Sequence, residues 1–186
     1  MQPSHGVALR LRRGAGHMTV KGIAMAVALS SSAGALGWAA VSDVRRYEIP
    51  NRISVIIVVA FLLAALVMKS AFVIGGLTVA AAIFAVGALL FARGGIGGGD
   101  VKLLSAAALW SGPGLLMSMA LVISLAGLVL AGLILSPLGR LMPPPPARVA
   151  PPPEKANRRL SRPMPYGVAI AAGGLWVLSR YTSYLQ

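Results

Sequence analysis

Cysteine is absent from this chain of 186 residues, and histidine occurs only at positions 5 and 17. The first absence excludes disulfides, thiol nucleophiles and cysteine-ligated zinc. The second leaves no His-Glu-x-x-His segment and no cluster of nitrogen or sulfur ligands, so neither a metal nor another cofactor is expected. His5 and His17 both precede the first apolar run, which makes histidine-dependent serine catalysis in the body of the protein untenable. Acidic residues are almost as scarce: Asp43, Glu48, Asp100 and Glu154 stand against 17 lysines and arginines.

What is abundant is apolar surface. Hydrophobic residues make up 57% of the chain and charged ones 11%, with a mean hydropathy of +0.81. Several uninterrupted runs are long enough to cross a hydrocarbon layer of about 30 Å. An all-α fold is therefore expected, a polytopic membrane helix bundle. The net charge of +13 could suggest nucleic acid, but the basic residues fall in short segments between apolar runs. Topology and anionic membrane lipids explain them better, and no nucleic-acid partner is expected.

Five apolar stretches organise the chain. The first covers about Gly22 to Val41, too long for the apolar part of a typical signal peptide, and ends at Ser42-Asp43-Val44-Arg45-Arg46. The second covers Ile53 to Met68, and the third Ala71 to Ala92, followed by Gly94-Gly95-Ile96-Gly97-Gly98-Gly99. A fourth runs from Val101 to Leu135, interrupted by Ser111-Gly112-Pro113-Gly114. Gly-Pro-Gly after serine is a turn composition, and proline in a helix interior costs about 3 kcal/mol. Two helices rather than one kinked helix are favoured, for about six transmembrane helices in all. Residues 136–163, with Pro143 to Pro146 and Pro151 to Pro153, form a stiff proline-rich loop. Met164 to Leu178 makes the last span. Residues 1–21 form a basic tail, 22–135 the main membrane domain and 164–186 the last helix and C-terminus.

Six spans put Arg45, Arg46, Arg52, Arg93, Lys102, Arg140, Arg148, Lys155, Arg158, Arg159 and Arg162 on one side, and Arg10, Arg12, Arg13, Lys21, Lys69 and Arg180 on the other. The positive-inside rule then places Asp43 and Asp100 at the cytoplasmic face. Five spans would invert the count, but the two aspartates share a side either way. A start of synthesis at Met18 would remove most of the charge before the first span, and intact mass would test it.

Intramembrane carboxylates are costly enough to mark function by default. Asp43 and Asp100 flank the first and fourth runs, and two carboxyl groups in a confined site do not easily both ionise. The ionised one can take a proton from water as it attacks a peptide carbonyl, and the protonated one can polarise that carbonyl. Asp100, behind the glycines at the start of a short helix, is the better candidate for the protonated partner. Only about 15 Å of helix separates Asp100 from Ser111, so a turn near the outer surface brings the glycine segment into the membrane region as irregular backbone, whereas a turn that dips inward leaves Asp100 at the interface. Composition also leaves room for a Ser/Lys dyad through Lys69 or Lys102.

The segment Asp43-Val44-Arg45-Arg46-Tyr47-Glu48-Ile49-Pro50-Asn51 resembles the first motif of type IV prepilin peptidases, an aspartate followed by basic residues and Ile-Pro-Asn. Gly97-Gly98-Gly99-Asp100-Val101-Lys102-Leu103 resembles their second, Gly-x-Gly-Asp followed by Val-Lys-Leu. Pro163-Met164-Pro165-Tyr166-Gly167 is similar to the stretch opening the last helix of that family, with Val168 where a second proline often stands. The resemblance covers about Gly22 to Leu135. It implies a membrane aspartic endopeptidase of the bacterial inner membrane that removes basic leaders from prepilins at the cytoplasmic face, with Asp43 and Asp100 as the catalytic pair. Gly97, Gly98, Gly99, Lys102, Pro50, Asn51, Pro165, Tyr166 and Gly167 would bind substrate or shape the site. Longer relatives carry a cysteine-bound zinc insertion and methylate the new amino terminus. This chain lacks both features and resembles the short branch serving tight-adherence, Flp-type pili, so protease activity without methylation is implied. Presenilin-like proteases share Gly-x-Gly-Asp but place tyrosine before the other aspartate, where Ser42 stands here.

Structural roles compete with these. Asp100 could be a helix N-cap, and Asp43 a counter-ion of Arg45, Arg46 or Arg52. Gly97 and Gly99 could serve helix packing or leave room for substrate backbone, and Pro50 and Asn51 could set the turn into the second span. Lys102, two residues from Asp100, points away from it on a helix and is expected to snorkel or to meet an acidic substrate group. Rival functions are an ion- or proton-coupled transporter and a catalytically silent pilus assembly factor.

Overall fold

The computed structural model of the chain describes residues 20–137 and 164–182, which contain helices and no strand. Helix α1 (Val20–Arg46) is followed by α2 (Asn51–Ala65), α3 (Ser70–Ala92), α4 (Gly98–Leu135) and α5 (Tyr166–Ser179). The Met18 start, most of the basic tail and most of the proline-rich loop lie outside the described residues.

The expected interruption of the fourth run falls at Gly112, whose φ of 50° and ψ of −172° suit glycine and strain any residue with a Cβ. A Cβ there would also meet Phe72 at 3.3 Å. The two halves of α4 lie against α5 in opposite senses. In the first half Ala107 abuts Gly174, and the Trp110 carbonyl accepts a bond from Tyr181. In the second, Ile123 abuts Gly173 and Gly127 faces Tyr166. The chain therefore reverses at Gly112, and the described residues hold six helical segments in five elements.

A helix that stops leaves its last carbonyls without intrahelical donors. Here the Ser111 hydroxyl donates to the Ala108 carbonyl at 2.9 Å and the Tyr181 hydroxyl to that of Trp110 at 2.8 Å. Around this end Phe61 and Tyr181 meet the Trp110 ring edge-on, at centroid distances of 5.6 and 5.8 Å. That spacing is favourable for aromatic pairs.

The first half of α4 is the centre of the bundle. Leu103 and the run from Ser105 to Gly112 are buried, and α4 packs against α2, α3 and α5 while α1 closes the ring between α2 and α5. Alanines at 106, 107 and 108 let these helices approach closely. Outward surfaces are apolar too: Met117 is 80% exposed and Leu128 70%. A helix apolar on all sides is suited to lipid. Three helices, α1, α3 and α4, are long and apolar enough to cross a membrane. In place of six such spans, α2 and α5 are shorter, with 15 and 14 residues. The apolar run of α2 continues to Met68, but its helix ends at Ala65, because Val67 and Met68 both bond back to the Ala64 carbonyl in a turn.

Candidate active site

Helix α1 continues past the apolar run, through Ser42 and Asp43 to Arg46, so Asp43 sits on a rigid last turn. That turn ends at Tyr47, which has a φ of 52° and whose N–H donates to the Asp43 carbonyl at 2.9 Å. Such left-handed helix ends favour glycine, yet tyrosine occupies this one. The Ser42 hydroxyl donates to the Glu48 carbonyl at 2.8 Å, drawing the connection back over the helix. Pro50, with φ −60° and ψ 136°, then opens α2. Its ring pre-sets that φ, so Pro50 sets the turn.

Asp43 is 6% exposed. Its Oδ2 accepts a 2.6 Å hydrogen bond from the Gly167 N–H, in the first turn of α5. Amides at a helix N-terminus are unpaired within the helix and carry its positive dipole end, so they favour a carboxylate. This amide is the only hydrogen-bond partner of the Asp43 side chain among the described residues, and Arg45, Arg46 and Arg52 do not pair with it. The counter-ion reading is thereby replaced.

Asp100 lies in the first turn of α4, whose N-cap is Gly97 with φ −72° and ψ 138° and no side-chain cap bond. The N-cap reading of Asp100 does not hold. Because α4 begins at Gly98, Gly98 and Gly99 are helical, and the irregular backbone expected before Asp100 is confined to 93–97.

The two carboxylates line one cavity of about 330 Å³, with Tyr47, Glu48, Ile49, Asn51, Gly97, Gly98 and Gly99. Its position at the meeting of α1, α2 and α4, with α5 holding Asp43 from behind, explains why residues so far apart in sequence converge. Ile49 acts as the wedge. A Cβ on Gly99 would lie 3.2 Å from the Ile49 Cβ, and one on Gly167 would lie 3.0 Å from its Cδ1 and 2.8 Å from Asp43 Oδ2. A Cβ on Gly97 would lie 3.0 Å from Asp100 Oδ2. The glycines thus bring backbone against Ile49 and against both carboxylates. Gly98 has a further packing role, since a Cβ there would lie 3.2 Å from the Phe91 ring.

Not every residue expected at the site reaches it. Lys102 is outside the cavity and donates to Asn51 Oδ1 at 3.0 Å, so it meets the rim through Asn51. Tyr166 is 45% exposed and absent from the lining, with its hydroxyl toward Gly127. Pro165 is fully buried as the N-cap of α5, also away from the cavity. Gly167, expected to shape the site, meets Asp43 through its backbone N–H, whereas Glu48, a third carboxylate on the lining, and Tyr47 and Ile49 carry no assigned role in the sequence reading.

Among the described residues, an apolar helical bundle with two aspartates lining one polar cavity is the framework of a functional site in a membrane protein. The chain matches the type IV leader peptidase family over residues 30–132. This is more than half its length, and the chain belongs to that family. Comparison with curated proteins and with solved structures gives no match. It is accordingly a membrane protein and a peptidase, with a prepilin-type substrate. The transporter reading does not agree with membership of a protease family. The matched segment holds both aspartates and all the cavity glycines but stops short of Gly167.

Proposed function

We propose that Asp43 and Asp100 are the catalytic pair of an aspartic endopeptidase that removes the leader of Flp-type prepilins at the cytoplasmic face of the inner membrane, without methylating the product. The observation that carries this reading is the shared cavity: two aspartates from different helices line one polar space. In the proposed mechanism water enters between them. The ionised carboxylate takes a proton from the water, whose oxygen attacks the scissile carbonyl, and the protonated one donates to the carbonyl oxygen. The tetrahedral intermediate then collapses as the amide nitrogen takes a proton and the peptide bond breaks. Held by the Gly167 amide, Asp43 is fixed in orientation, and charge-assisted bonds of this kind favour the ionised state. Asp43 is therefore assigned the base and Asp100 the acid.

The six segments cross as three hairpins in this reading, with the cavity on the side carrying Arg45, Arg46, Arg52 and Arg93, as the positive-inside rule requires. The remaining motif residues act by shape: glycines and Ile49 close the floor, and Pro50 aims the loop. Single Asp43→Asn and Asp100→Asn substitutions test the assignment against a co-expressed prepilin. Asparagine keeps the size of the side chain and removes its charge and proton. Loss of leader removal at normal membrane levels is expected for each. Cleavage at the wild-type rate by either variant overturns the pair and favours a structural role for that aspartate.

A further inference from the structure

Although α2 and α3 are consecutive, α2 packs against α1 and α4 and α3 against α4, and the two make little contact with each other. The gap between them is an apolar groove of about 500 Å³ whose floor is the first half of α4. Val58 and Leu62 form one wall, Leu77 and Phe84 the other, and Ala106 and Leu109 the floor. Its lining includes one charged residue, Lys102.

Lys102 stands where the groove meets the carboxylate cavity. Its ammonium donates to Asn51 Oδ1 at 3.0 Å, and Asn51 lines the cavity. Among the described residues this neutral amide is its only hydrogen-bond partner, and no carboxylate pairs with it. The groove therefore adjoins the reaction site through the Lys102–Asn51 bond and carries one positive charge at that junction. A cation facing an apolar channel is complemented by an anion on whatever fills that channel, and the attraction strengthens as water leaves.

We propose that the prepilin-type substrate continues beyond the cut as an apolar helix that docks in this groove, and that Lys102 pairs with an acidic side chain in the first two turns of that helix. The proposal rests on the peptidase reading and deepens it by naming where the uncleaved helix lies. From Lys102 to Leu109 the floor spans about 10 Å of helix rise, which matches about two turns of a docked helix. Alanines 80, 81 and 106 in the lining admit a helix closely, as small residues do between membrane helices. Lys102 then fixes the register, setting which bond reaches the carboxylates.

The absence of native cysteine permits a direct test. Single cysteines at Val58 and Leu77 on the groove, and at Leu125 on the second half of α4, are comparably exposed at 37%, 47% and 54%. Each is crosslinked in membranes to a prepilin carrying one cysteine in its apolar helix, both with and without Asp100→Asn. Crosslinking at Val58 and Leu77 well above Leu125 is expected. Equal yields at all three overturn the docking site and leave the groove to lipid. The mass of the adduct separates the two claims: a mature-length adduct in the Asp100→Asn enzyme refutes the catalytic assignment, whatever the crosslinking pattern shows. For the ion pair, Lys102→Met is expected to raise KM about 5-fold or more with kcat little changed. Lys102→Glu is expected to regain cleavage on a prepilin whose early helix acid is changed to lysine. An unchanged KM, or no such rescue at any early acidic position, overturns the role of Lys102.

Discussion

Replacing Gly167 by alanine tests whether the backbone of α5 positions the carboxylate of Asp43. The added methyl would sit 2.8 Å from Asp43 Oδ2 and 3.1 Å from its Cβ, with Ile49 Cδ1 on the other side at 3.0 Å. Carbon to oxygen at 2.8 Å is repulsive, and Asp43 is on a rigid helix turn, so the carboxylate must swing away from the Gly167 amide. The bond at stake is the 2.6 Å contact from that amide. Hydrogen bonds to charged groups contribute about 1.5–3 kcal/mol, and if that amount is lost from the reacting geometry the rate falls about 10- to 150-fold. Fold stability moves less, because alanine is favoured over glycine in a helix by up to about 1 kcal/mol, offsetting part of the clash. The assay is leader removal per unit of folded protein, with the thermal midpoint measured on the same sample. Gly132→Ala is the control, since a Cβ there meets nothing within 4 Å. Wild-type cleavage by Gly167→Ala refutes the positioning argument. A loss accounted for by unfolding refutes it as well.

The other predictions concern the far end of the bundle. Gly112→Ala forces a side chain into a φ of 50° and ψ of −172°, and a strained backbone of this kind costs about 1–3 kcal/mol. A lowered thermal midpoint is expected, and an unchanged one would mean that the reversal does not need glycine. Tyr181→Phe removes the donor to the Trp110 carbonyl, and a buried acceptor left unpaired costs about 1–3 kcal/mol. Its effect on denaturation should exceed that of Tyr166→Phe, because Tyr166 is half exposed.

Much of the fold was legible because lipid-facing helices must be apolar throughout, so composition and the turn at Ser111 to Gly114 marked the segments. Their ends were less legible, since apolarity reports burial or lipid and says nothing of hydrogen bonding. Helix α1 goes on through charged residues to Arg46 because its backbone ladder continues to the bond from Tyr47 to Asp43. At the end of α2 the reverse holds: Leu66 to Met68 are apolar, but the chain has already turned.

The candidate site shows the same division more sharply. Asp43 and Asp100 stood out because carboxylates are rare in so apolar a chain, and the glycines beside Asp100 because they are clustered. Gly167 was marked by its motif, but its partner was not, since every residue but proline has a backbone N–H and spacing does not say which one meets a side chain 124 positions away. Ile49 was hidden for a related reason: an isoleucine in an apolar chain is ordinary, and its importance comes only from the two glycines that close on it. These two links unite the family-matched segment with α5. Residues 30–132 bring Asp43 beside Asp100, while the amide that fixes Asp43 comes from outside that span. The last helix therefore has a chemical part in this arrangement in addition to filling the ring between α1 and α4. Losing it would leave both aspartates in place in the sequence and one of them unanchored in the cavity.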